Sequence, residues 1–179
     1  MKFGKTMAVV GVALALAGGA LAQDVKTDYD KAANFGGVKT FALKIGTAWG
    51  NPIGEKRVTD EITQALTAKG WAVAEEGKAD AQVVLHGATQ TKHSLNTFYS
   101  GMGGYGYRGF GGMGTATTTD SEYVVGTLVV DIFDAKSKAL LWRGTAQDEL
   151  SDKPDKNVKK LAKASDKLFK DFPPGSKKK

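Results

Sequence analysis

The chain has 179 residues, 25 basic against 19 acidic, and no cysteine, which excludes disulfides, thiol catalysis and cysteine-ligated metals. That length suits one domain on the ~100–200 residue scale and is enough to bury a core by packing alone. The formal net charge of +6 is a modest bias toward anionic partners.

Residues 1–22 have the three parts of a secretory signal: Lys2 and Lys5, an apolar run over 7–17, and Ala20-Leu21-Ala22 before Gln23. The run is shorter than the ~20 residues that span a bilayer and is interrupted or followed by Gly11, Gly18 and Gly19. Cleavage before Gln23 is therefore expected rather than anchoring. It leaves 23 basic against 19 acidic residues, a net charge of +4. No cysteine follows the site, so a thioether-linked lipid is chemically impossible, and the expected location is the periplasm, without lipidation.

A single domain is expected over residues 23–174, with a basic tail at 175–179. Residues 24–30 read as a short strand, 34–37 as a turn and 38–44 as an alternating strand. Residues 48–54 read as a loop, with Asn51-Pro52 as a turn signal. The first helix spans 55–69, where Val58, Ile62, Ala65 and Leu66 make one apolar stripe. Gly70 is placed for a left-handed helix end, with Trp71 folding back on Leu66. A short strand at 71–74, a charged turn at 75–78 and a strand at 80–91 follow. In that last strand Val83, Leu85 and Gly87 oppose Val84, His86 and Ala88.

Residues 100–114 (SGMGGYGYRGFGGMG) lose all periodicity and read as a long mobile Gly-aromatic loop between two strands. Residues 115–120 are β-prone and start the next strand. The segment 123–146 is a hairpin, broken at 134–138, with Val124, Gly126, Leu128, Val130 and Ile132 on one face. A second helix spans 155–171, with Val158, Leu161, Ala162, Leu168 and Phe169 on one face, ended by Phe172-Pro173-Pro174-Gly175. The order predicts an α+β fold: a two-layer, mostly antiparallel sheet of about six strands with two helices on one face.

Val25 with Thr27-Asp28-Tyr29-Asp30, then Phe35 and Lys39-Thr40-Phe41, the run GTLVVD at 126–131, LWRG at 141–144 and Phe172-Pro173-Pro174 together resemble the bacterial domain-of-unknown-function family 4136. The resemblance covers nearly all of the exported chain. It implies a two-layer α+β fold and an envelope location in Gram-negative bacteria, and it brings no activity. Many members resemble lipoproteins; this chain departs from them in lacking the cysteine.

Candidate chemistry is sparse. Residues 101–106 match GxGxxG, but the glycines lead into a threonine-rich strand rather than a helix, so no nucleotide site and no cofactor are expected. His86 and His93, seven residues apart on an extended strand, would lie about 23 Å apart and point to opposite faces. With no HExxH spacing, no metal site is expected. Asp28 and Asp30 share a face if their segment is extended, a pattern that fits acid/base work, a hard cation or, more simply, a solvated edge. Asp131 interrupts an apolar run and suits a cross-strand pair with Arg143. No GxSxG or SxxK places a nucleophile.

Folding does not require the Gly-aromatic loop, and Tyr105, Tyr107, Arg108 and Phe110 combine stacking anchors with flexible spacers, as binding loops do. Lys177, Lys178 and Lys179 offer a weak contact to an anionic surface. The expected function is a non-enzymatic periplasmic binding or envelope-accessory protein, its partner an envelope protein or glycan rather than nucleic acid. The alternative is a periplasmic hydrolase or metal-dependent enzyme using Asp28, Asp30 or His86.

Overall fold

A computed structural model describes residues 23–100 and 115–175. In chain order the elements are β1 (Asp24–Tyr29), β2 (Thr40–Thr47), α1 (Pro52–Ala68), β3 (Ala72–Val73), β4 (Ala81–Ser100), β5 (Thr115–Asp134), β6 (Leu140–Glu149) and α2 (Pro154–Leu168). The strands form one sheet in the order β1-β6-β5-β4-β2-β3. Pairing is antiparallel from β1 to β4 and parallel among β4, β2 and β3. Both helices pack on the same face, giving the two-layer α+β architecture.

The alternation along the strands decides which face is covered. Val83, Leu85, Val130, Ile132, Trp142 and Ala146 turn toward Ile62 and Leu66 of α1 and Ala164 and Leu168 of α2, and all are buried. At the C-terminal end of α2 the core is aromatic. The Phe172 ring meets Trp71 at 5.1 Å, Trp142 and Phe169 at 5.5 Å and Phe35 at 6.0 Å, all edge-on. Gly144 leaves the space these groups need: a Cβ there would lie 2.3 Å from the Trp142 ring and 2.7 Å from Leu168.

Helix α1 ends as its sequence requires. Gly70 adopts φ +90, its N–H donates to Thr67 O at 2.9 Å, and the Trp71 N–H donates to Leu66 O at 3.2 Å, the paired bonds of a Schellman end. Its beginning corrects the expectation of a loop. Asn51 Oδ1 accepts from Gly54 N at 3.0 Å and caps the helix, and Pro52 fills its first turn, where a missing N–H costs nothing. In α2 the buried face is Ala164, Ser165 and Leu168, while Val158 stays exposed.

The two central strands outrun the sheet. They remain paired from Ala81↔Asp134 to Ser100↔Thr115, whereas β2 leaves β4 at His86 and β6 leaves β5 at Val125. Residues 91–100 and 115–124 therefore form a two-stranded arm reaching about 30 Å past the body at about 3.4 Å per residue.

Two carboxylates fasten chain reversals. Asp80 accepts from Lys39 N (3.0 Å), Thr40 N (3.0 Å) and Thr40 Oγ1 (2.9 Å), tying the start of β2 to that of β4. Asp134 accepts from Ser137 N (2.6 Å), Ser137 Oγ (2.8 Å) and Lys136 N (3.0 Å) in the β5–β6 turn. The Lys39 amide and the Thr40 hydroxyl hold Asp80 below its ordinary pKa, and the Ser137 amide and hydroxyl do the same for Asp134. A carboxyl whose pKa is lower folded than unfolded stabilises the fold above its unfolded value of about 3.9, and that contribution vanishes as pH falls through the folded value. Asp80→Asn/Asp134→Asn should therefore melt at a lower temperature than the parent at neutral pH and lose less between about pH 5 and pH 2; parallel declines would show that other carboxylates drive acid unfolding.

Candidate functional site

Between the N-terminal halves of the two helices the core does not close. A groove of about 270 Å³ lies there, floored by β4, β5 and β6. Its floor is low because two interior strand positions carry no side chain. Gly87 lies beneath the indole of Trp49, which a Cβ would meet at 1.9 Å, and Gly126 lies beneath Leu150, which a Cβ would meet at 2.9 Å. Val58 from α1, Val158 and Leu161 from α2, and Leu128 and Ala146 from the sheet complete apolar walls. Trp49 is half-buried, whereas Trp71 and Trp142 are buried in the core.

The rim is polar and most of it is internally satisfied. Asp148 receives Lys160 Nζ at 3.2 Å on one oxygen and Gln23 Nε2 at 3.1 Å on the other, and Gln23 also donates to Lys160 O at 2.9 Å. Lys160 Nζ donates in addition to Glu149 O. Asn157 is spent on Ser151, accepting from its N at 2.8 Å and donating to its O at 2.7 Å. Arg57, exposed on α1 and lining the groove, makes no hydrogen bond or ion pair among the described residues.

The helix-free face of the sheet carries a second constellation. Asp131 is only 2% exposed, and both its oxygens are taken side-on by Arg143, from Nε at 2.6 Å and a terminal nitrogen at 2.7 Å. The register places Asp131 opposite Arg143, the cross-strand pair expected from the sequence. The hydrogen bond from Arg143 to Asp131, then the charge, holds the guanidinium above its ordinary pKa. His86 Nδ1 lies 2.8 Å from Thr47 Oγ1 and its Nε2 lies 3.8 Å from Asp131 Oδ2. Hydroxyl, imidazole and carboxylate thus stand in the order used by serine hydrolases. The last separation is too long for a hydrogen bond, Arg143 already occupies the carboxylate, and none of the three lines the groove. The arrangement is a structural clasp on an open sheet.

The remaining acidic candidates do not converge with it. Asp28 is on β1, its Oδ1 accepting from Tyr29 N at 2.9 Å. Asp30 falls just past the end of the strand, its N still bonded to Leu141 O at 2.9 Å, and its Oδ1 accepts from Ala32 N at 2.8 Å and shapes a turn. His86 on β4 is separated from β1 by β5 and β6, and His93 lies 3.9 Å from Asp120 on the arm. No group of three potential metal ligands occurs among the described residues. Tyr105, Tyr107, Arg108 and Phe110, the GxGxxG match, and Lys177, Lys178 and Lys179 lie outside the described residues. Sequence reasoning missed the groove. The available signal was Gly87 and Gly126 inside strands, since an interior strand glycine marks a close approach.

The family model described as "Domain of unknown function (DUF4136)" matches residues 25–174. No curated protein matches the chain significantly. Among solved structures, a PDZ domain protein from Parabacteroides distasonis is similar over 87% of this chain and 37% of its own, at 19% identity and a TM-score of 0.50. The chain thus spans little more than a third of that protein, and the likeness is one of fold. The PelC dodecamer from Paraburkholderia phytofirmans is similar over 82% of this chain and 97% of its own, at 14% identity and a TM-score of 0.48.

Removing Arg143 would strand a buried carboxylate. Arg143→Leu should cost about 2 kcal/mol in urea unfolding, below the range for fully buried pairs because the Arg143 side chain is 53% exposed and water screens it. Asp131→Leu/Arg143→Leu should recover much of that loss; a neutral single variant would show that the pair does not stabilise the hairpin.

Proposed function

The chain belongs to the DUF4136 family, and from that premise we propose that it is a non-enzymatic binding module of the cell envelope, exported to the periplasm without lipidation. The observation that supports this reading best is the groove: a concave apolar site with a few polar rim groups, the usual form of a small-ligand site. The one arrangement with a catalytic outline, Thr47, His86 and Asp131, has its carboxylate occupied by Arg143, and Asp28 and Asp30 each accept from a nearby backbone amide. A binding role also suits a site walled by Trp49, whose half-buried indole rests on Gly87 and lies outside the core cluster.

A second contact set fits the same role. Tyr105, Tyr107, Arg108 and Phe110 combine stacking rings and a guanidinium with glycine spacers, a composition that suits contact with an envelope protein or glycan, and Lys177–Lys179 add a weak salt-sensitive contact to anionic surfaces.

Two measurements test these contacts. N-phenyl-1-naphthylamine should bind the purified protein and quench Trp49, and Trp49→Phe should abolish the quenching. Val158→Asp, at an exposed groove position, should weaken binding at least about fivefold with little change in melting temperature. Dye binding indifferent to both variants would place the ligand site elsewhere. In whole cells, deleting residues 101–114 should remove crosslinked partners, and salt should release whatever the lysine tail retains; unchanged profiles would take the loop and the tail out of the reading.

A further inference from the structure

We infer that the groove selects a single-chain amphiphile with an anionic head, its acyl chain lying between the helices and its carboxylate meeting Arg57; this rests on the groove being the ligand site. The volume of about 270 Å³ holds about nine groups of roughly 30 Å³, the bulk of one chain of roughly eight to ten carbons. The walls, from Val58, Leu128, Val158 and the ring of Trp49, give such a chain a mostly apolar bed along its length.

Charge at the rim then selects the head. Among the described residues three ionisable side chains line the groove: Arg57, Asp148 and Lys160. Asp148 and Lys160 satisfy each other at 3.2 Å, and Lys160 is further held by Glu149 O. Among the described residues nothing takes the donor fork of Arg57, and a guanidinium matches a carboxylate in two parallel hydrogen bonds. The first turn of α1, through Asn51 and Gly54, lies on the same rim and adds the partial positive charge of a helix start. A cationic head would face Arg57 directly, and a neutral one would gain only the burial of its chain.

The test is displacement of N-phenyl-1-naphthylamine from the purified protein by decanoate, decanol and decyltrimethylammonium. Decanoate is expected to displace at the lowest concentration. Arg57→Gln should raise the decanoate requirement about tenfold and that of decanol less than about twofold, and Arg57→Lys should restore part of the preference. Equal displacement by the ammonium compound, or decanoate binding indifferent to Arg57→Gln, overturns the head-group assignment while leaving the groove as a site. Failure of all three amphiphiles to displace a dye that Val158→Asp does weaken overturns the acyl-chain assignment. A dye insensitive to Val158→Asp overturns the groove itself. Arg57-dependent sedimentation with phosphatidylglycerol vesicles that decanoate does not reduce overturns the single-chain occupant in favour of a membrane surface.

Discussion

The fold turns on where the Phe172 ring goes. One sheet face is covered by two helices that sit side by side and do not reach across it. The gap at their C-terminal end is filled by a ring from the residues that follow α2. Phe172 touches Phe35 from before β2, Trp71 from after α1, Trp142 from β6 and Phe169 from the end of α2. Four segments far apart in sequence thereby share one contact, and edge-on rings add a geometric preference to the area they bury. Among the described residues no ring fills the other end of the helix pair in that way, and the groove lies there.

The segments by which the chain resembles its family have structural work to do. Phe35, Phe41, Trp142 and Phe172 are core rings, Thr40 is clasped by Asp80, Gly144 yields to Trp142 and Leu168, and Asp131 grips Arg143. Such residues mark how the chain folds. The groove takes Gly126 and Leu128 from those segments but Arg57, Val158 and Leu161 from outside them, and so a family signature can be shared without a shared ligand.

Much of the architecture was legible because local rules and burial agree. The stripe through Ile62 and Leu66, the Gly70 helix end and the even-numbered inner face of β5 all follow from period and turn chemistry. The failures have equally local causes. Asn51-Pro52 is both a turn signal and a helix start, and only the Oδ1 bond to Gly54 N distinguishes them. Val158 lies on the apolar stripe of α2 but overhangs the groove, because periodicity cannot say where the opposing helix stops. The full reach of β4 and β5 was hidden because residues 91–100 and 115–124 mix polar and apolar types without a period of two, which removes the alternation that announces a strand. The groove was hardest to foresee, since absent side chains on two strands define it as much as present ones.

The arm divides the molecule into a part that must be kept and a part that is free to change. Ser100 and Thr115 end a ladder that has already left β2 and β6 behind, so trimming matched pairs from its outer end removes only the arm's own bonds. A lineage could shorten or lengthen the arm pair by pair, as an instrument takes a new bit, while the body that holds it inherits its packing intact.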